Sequence, residues 1–198
     1  IDIMFFADRR SNTGASERVL YSLWDTGFDI SHSFRTGQEC VEEAFKDVRT
    51  RTSLLEARFI AGDRDLFGYF RRTVYPEIAF KRRREFLRDK LREMEQRHLS
   101  SGDSVFLLEP HIKEGEGGLR DIHTSYWLSM VVLKTADFAR YLELMDPYER
   151  KRFSDAYDFL LRTRYCLHVI AGRRNDVLSA EYQKDTARLL GFRDSGRF

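Results

Sequence analysis

Beyond Thr36 the apolar residues of this chain recur every three or four positions, and they do so with few breaks as far as Gly191. That spacing puts them on one side of a helix and commits most of the chain to helical structure. Thr36 is placed to cap a helix through Cys40, Val41, Ala44 and Val48, and a second runs to Ala61 on Leu54, Leu55 and Phe59 before Gly62. Asp63 caps a third that uses Leu66, Phe67, Phe70 and Val74, and Pro76 fits the first turn of a long fourth reaching His98. The segment SSGD interrupts the pattern, and VFLLEPHIKEGEGG reads as extended chain punctuated by Pro110 and glycines. Helical spacing resumes at Leu119, Ile122, Tyr126, Met130 and Leu133. It continues after Pro147 with Phe153, Tyr157, Leu160, Leu161 and Leu167, and a last helix covers 181–190.

Before Thr36 the period is different. Ile1, Ile3, Met4, Phe5 and Phe6 form a short apolar run of the kind found in buried strands. DRRSNTGAS is a polar loop, and Ser16 can cap a helix over 17–26 with Val19, Leu20, Leu23 and Trp24 as its stripe and Gly27 as its stop. Residues 28–34 alternate, placing Phe28, Ile30, His32 and Phe34 on one face of a second strand. The expected fold class is therefore α+β, mainly α. A strand–helix–strand piece over 1–36 is followed by a helical domain over 37–198, with the boundary near 36–40. A chain that opens inside a strand and closes on RDSGRF is expected to be a fragment of a longer protein.

Charge narrows the function classes. The 34 basic and 32 acidic residues are interleaved and leave a formal charge of +2, which is not the footprint of a nucleic-acid binder. No apolar run approaches the roughly 20 residues that span a bilayer, and nothing in these residues resembles a signal peptide, so neither a nucleic acid nor a membrane is an expected partner. Cys40 and Cys166 have neither disulfide-framework nor metal-site spacing, which fits a reducing, cytoplasmic setting. His32, His98, His111, His123 and His168 are scattered without a metal-type pair.

Three features could carry chemistry. Asp2 is a carboxylate in an apolar strand, sharing a face with Met4. It is either a surface strand-end residue or half of an Asp-x-Asp pair that grips metal and a nucleotide triphosphate. In IKEGEGGLRDIHT, Gly115, Gly117 and Gly118 lie between Lys113 and Arg120. The amides of 117–120 would be free at a helix start, which favours anions, yet Glu114 and Glu116 stand in the same loop. No Gly-Lys-Ser/Thr closes it as a P-loop, so pattern alone favours a helix-starting turn over a phosphate cradle. The run KRRREFLRDKLR at 81–92 pairs its charges at helical distances, with Phe80, Leu87, Leu91 and Met94 as the expected buried stripe and a solvated opposite face.

Taken in order, IDIMFF, LYSLWDTGFDISHSFRT, TSLLEARFIAGD, LLEPHIKEGEGGLRDIHT, FLLRTRYCLHVIAGRRND and LLGF resemble the bacterial PII uridylyltransferase/uridylyl-removing enzyme family across nearly the whole chain, with His111 where that family has Asn. The resemblance implies the C-terminal part of a polymerase-β-type nucleotidyltransferase domain followed by a helical bundle. It implies transfer of UMP from UTP, with Mg²⁺, to a tyrosine of the PII nitrogen-signalling protein. The family also removes UMP through a separate metal domain and senses glutamine through terminal ACT domains, and these residues match neither. Of the Asp-x-Asp pair only the second, Asp2, is matched, as a catalytic metal ligand. Ser31 stands at the position of the third carboxylate, with Asp29 two residues before it as the substitute ligand. Lys113 and Arg120, assisted by the amides of Gly117 and Gly118, are the implied phosphate contacts. The fragment alone is expected to have little or no transferase activity. Two alternatives stand beside this reading. One is a glutamine synthetase adenylyltransferase-like enzyme, against which SHSFRT argues; the other is a non-catalytic helical regulatory or docking module.

Overall fold

The structure, a computed structural model, describes residues 1–9, 14–102, 107–135 and 138–192. Parts of the expected polar loop (10–13) and of the extended stretch (103–106), and the closing RDSGRF, lie outside the described residues. The described residues are mainly helical with one two-stranded parallel sheet, and the chain packs as two compact units, Ile1–Arg83 and Arg84–Phe198.

In the first unit, strand β1 (Asp2–Phe6), helix α1 (Gly14–Trp24) and strand β2 (Ser31–Arg35) form a β–α–β unit whose strands pair in parallel from Asp2↔Ser31 to Phe6↔Arg35. Parallel strands need a crossover, and α1 supplies it. Phe5 and Phe34 stack at 4.9 Å on the face where Trp24 of α1 meets His32 edge-on at 5.6 Å. On the opposite face Met4 Sδ lies 3.6 Å from Cys40 Sγ, and Phe6 meets the edge of Phe70 at 5.3 Å. Helix α1 begins at Gly14, so Ser16 lies inside it instead of capping it. β2 begins at Ser31, opposite Asp2, three residues later than the alternation indicates.

Helix α2 (Gly37–Lys46) opens with a capping box, in which Thr36 N–H donates to Glu39 Oε2 at 2.9 Å and Glu39 N–H donates to Thr36 Oγ1 at 3.3 Å. Asp47 closes α2 and caps α3 (Val48–Leu55), so Val48 belongs to the second helix, which stops six residues short of Ala61. Asp63 caps α4 (Arg64–Tyr69), as its position indicates, and a π-type turn (Phe70–Val74) leads into α5 (Tyr75–Phe80). The single long helix expected from Pro76 to His98 is in fact two, broken at Arg82 with φ +48° before α6 (Arg83–Ser100). Buried Arg51 accounts for the break. Its guanidinium donates to the carbonyls of Ile78 (2.9 Å) and Lys81 (2.6 Å), which a continuous helix would use for its own amides. Because Met4 and Phe6 rest against α2 and the π-type turn, the helices through α5 share a unit with the strands, and the expected 36–40 boundary falls inside that unit.

The second unit comprises α6 from Arg84 onward, α7 (Leu119–Leu133), α8 (Phe138–Leu142), α9 (Pro147–Ala171) and α10 (Ala180–Leu189). Ile112, Leu119, Leu167 and Leu178 form one buried apolar cluster of this unit, flanked by Tyr157, Leu160 and Tyr182. An Asp146–Glu149 capping box and Pro147 start α9, and Gly172 at φ +62° ends it. The chain before α7 is tied to the chain after α9: Ile112 N–H donates to the Asp176 carbonyl at 2.8 Å, and Leu178 N–H to that of Pro110 at 3.0 Å. Among the described residues no helix is long and apolar enough to cross a membrane.

Candidate functional site

Asp2 opens β1, is exposed, and stands directly opposite Ser31 in the parallel register. The position expected to carry a further carboxylate is thus beside Asp2, occupied by a hydroxyl. Asp29 lies in the exposed approach to β2, where its backbone carbonyl accepts from the Ile1 amino group at 2.6 Å. Among the described residues no three His, Cys, Asp or Glu side chains gather to hold a metal ion. Magnesium demands near-octahedral oxygen coordination. Asp2 offers one carboxylate, and the described residues do not complete such a site.

The glycine segment is the better-defined structure. Gly117 adopts φ +74°, a conformation that favours glycine. A Cβ on Gly118 would come within 2.8 Å of the carbonyl oxygens of Gly115 and Ile112 and 3.1 Å of that of Lys113. The amides expected to be free are engaged. Gly117 N–H donates to Asp121 Oδ2 at 2.8 Å, Gly118 N–H to the Gly115 carbonyl at 2.9 Å, Leu119 N–H to that of Ile112 at 3.0 Å, and Arg120 N–H to that of Lys113 at 2.8 Å. The helix start satisfies itself, so any anion here would have to meet side chains instead.

Those side chains form a network that pattern reading missed. The buried stripe of α6 is not Leu87 and Leu91, the latter 41% exposed, but Phe86 and Lys90, at 1% and 3%. About two turns further along the helix, Arg97 donates to Asp121 Oδ1 at 2.6 Å and to the Glu114 carbonyl at 2.8 Å. His98 Nε2 lies 2.9 Å from Asp121 Oδ1. Burial pushes the Asp121 carboxyl up, but hydrogen bonds from Arg97, His98 and the Gly117 amide outweigh it and hold the group below the usual carboxylate range. The Glu114 carboxylate receives Lys113 Nζ at 3.0 Å and Arg120 Nη2 at 3.3 Å, with Arg97 Nε at 3.7 Å. Burial raises its carboxyl too, and the Arg120 and Lys113 hydrogen bonds bring it below the ordinary value. Lys90 pairs with Glu93 at 2.5 Å and lies 4.4 Å over the Trp127 ring, which Arg120 also overlies at 5.5 Å. Burial draws the Lys90 ammonium down despite Glu93. Glu116 points to solvent-exposed surface and stays out of the cluster's core. The one signal available beforehand was the spacing of Phe86, Lys90, Glu93 and Arg97, which puts all four on one helical face.

The structure therefore brings Lys113 and Arg120 together, with Glu114 between them, and seats Gly117 and Gly118 in the turn that positions them. These features define a mainly helical protein with a small parallel β–α–β layer and a self-capped glycine turn ringed by cations. The chain belongs to the GlnD PII-uridylyltransferase family, whose sequence model matches residues 85–197. Those limits nearly coincide with the second compact unit. Relatives named bifunctional uridylyltransferase/uridylyl-removing enzyme include one from Bradyrhizobium sp. (strain BTAi1), 36% identical over 97% of this chain, and one from Novosphingobium aromaticivorans, 38% identical over 90%. A third, from Phenylobacterium zucineum, is 36% identical over 99%. The chain spans about a fifth of the length of these relatives (20–21%). No solved structure matches it.

Proposed function

We propose that the chain is part of a nucleotidyltransferase of the polymerase-β type that moves UMP from UTP to a tyrosine of a PII signal protein. The observation that carries this reading is the family match over 85–197, joined to a β–α–β unit that sets Asp2 beside Ser31. Asp2 is the catalytic carboxylate of the reading and one ligand of its magnesium, the counter-charge that phosphoryl chemistry calls for. Asp29, held by its backbone before β2, is the weaker second candidate. Lys113 and Arg120 bind phosphate through their side chains, and Gly117 and Gly118 hold the turn that aims them. The setting is cytoplasmic, where buried free thiols such as Cys40 and Cys166 stay reduced.

The test is incubation of the full-length protein with a PII protein and UTP labelled in its α-phosphate. Label is expected on PII from UTP and not from ATP. No transfer from UTP overturns the assignment, and transfer from ATP alone moves the chain to the adenylyltransferases. Asp2→Asn in the full-length protein should lower transfer at least about a hundredfold, the scale of losing a group that stabilises transition-state charge. Residues 1–198 by themselves are expected to transfer little or no UMP, measured in the same assay.

A further inference from the structure

Two carboxylates anchor the cation cluster, and they are held differently. Asp121 is gripped at 2.6 Å by Arg97, at 2.9 Å by His98 and at 2.8 Å by the Gly117 amide. Glu114 meets its cations at 3.0, 3.3 and 3.7 Å. Charge-assisted hydrogen bonds at full strength lie near 2.7–2.9 Å. Asp121 is a structural anchor, whereas the Glu114 carboxylate is held at longer distances, by Lys113 at 3.0 Å, by the Arg120 fork at 3.3 and 3.4 Å and by Arg97 at 3.7 Å. The loop does not need that carboxylate: the Glu114 amide donates to His111 Nδ1 at 3.0 Å, its carbonyl accepts from Arg97 at 2.8 Å, and the 112–120 backbone bonds close the turn.

Two further observations favour an incoming anion. Among the described residues Lys90, Arg97, Lys113 and Arg120 face Glu93, Glu114 and Asp121, four cations against three carboxylates. The indole N–H of Trp127, whose ring lies under Lys90 and Arg120, is buried with no hydrogen-bond acceptor among the described residues. A buried donor without an acceptor is unusual and costly. A phosphate oxygen is acceptor-only and matches both the charge excess and the arginine fork.

We propose that Lys113, Arg120 and Arg97 form a site for an oligophosphate anion, and that Glu114 is its built-in competitor, displaced when the anion enters. This rests on the reading of Lys113 and Arg120 as phosphate ligands and adds a gate to it. The carboxylate holds the cations in register while no phosphate is bound and sets a threshold that a single-charged anion does not cross.

The probe is inorganic tripolyphosphate, titrated by calorimetry into the full-length protein. Glu114→Gln keeps the side chain's shape and removes the competing charge, and it should tighten binding about tenfold, the scale of one charged hydrogen-bond partner. Arg120→Gln should weaken binding by a similar factor, and the double variant should lose the gain. Unchanged or weaker binding by a folded Glu114→Gln protein overturns the proposal. So does undiminished binding by Arg120→Gln, which covers the case in which the first variant does not fold. Because the probe carries no nucleoside and needs no acceptor, these affinities stand or fall apart from UMP transfer. A protein that binds tripolyphosphate as described but labels no PII would lose its proposed function and keep this site.

Discussion

At the scale of single residues, Asp121 does more than sequence position implies. A carboxylate in the first turn of a helix is favourable by itself, but here it also joins Arg97 and His98 of α6 to the Gly117 amide. Asp121→Asn should cost about 2–3 kcal/mol in urea unfolding, since it leaves partly buried cationic donors with a neutral acceptor. The pH dependence has a definite sign. Asp121, Glu114 and Asp176 are all held below their ordinary values of 3.8, 4.5 and 3.8 in the folded chain. Their contribution is present above those values and is lost as pH falls through the depressed ones. Unfolding midpoints followed downward from neutral pH should therefore decline through the carboxylate range, and Asp121→Asn should flatten that decline. Gly118→Ala is a backbone counterpart: its methyl would press on three carbonyl oxygens, and thermal melts should show a loss of about 1–3 kcal/mol. The glycines, Asp121 and the helix start were legible in the sequence because they are local. Arg97 as their partner was not, since it stands 24 residues away from Asp121 and only the fold brings it there.

At the scale of elements, the N-caps were the most readable features and α6 the least. Thr36, Asp63 and Pro147 declare themselves through side chains that reach the adjacent amides or pre-set the first turn. The break at Arg82 depends on Arg51, a long-range cap that no window around 75–98 contains. Along α6 the inward face is built from Phe86, Lys90, Glu93 and Arg97, and a hydrophobic period cannot distinguish a buried ion pair from a solvated one. That mixed face predicts an asymmetry between the partners. Lys90→Met keeps the aliphatic stem over Trp127 and removes one partner of Glu93, whose side chain is 27% exposed, so chemical denaturation should show a change within about 1 kcal/mol. Glu93→Gln leaves the ammonium of Lys90 buried at 4% side-chain exposure with a weaker partner, and should cost about 1–3 kcal/mol. Equal losses from both substitutions would contradict this account of the face.

At the scale of the whole molecule, the family match and the packing agree on a unit that the hydrophobic period does not delimit. Helical spacing runs through both 37–83 and 84–198, so it carries no mark of the division, whereas the apolar cluster of Ile112, Leu119, Leu167 and Leu178 and the charge network around Glu114 and Asp121 lie wholly within Arg84–Phe198. A compact segment that carries a buried apolar cluster and an ion-pair network of its own has what independent folding needs. Residues 84–198 expressed alone should therefore give helical circular dichroism and a cooperative melt. The chain carries a direct reporter for this, because its two tryptophans fall one in each unit, Trp24 at 41% exposure and Trp127 at 3%. In the 198-residue chain, Trp24→Phe leaves Trp127 as the only indole. Its emission should be blue-shifted, resist a soluble quencher, and change in one transition that overlays the melt of 84–198. Red-shifted, readily quenched emission from Trp127 in the isolated segment would mean that its core does not form without residues 1–83.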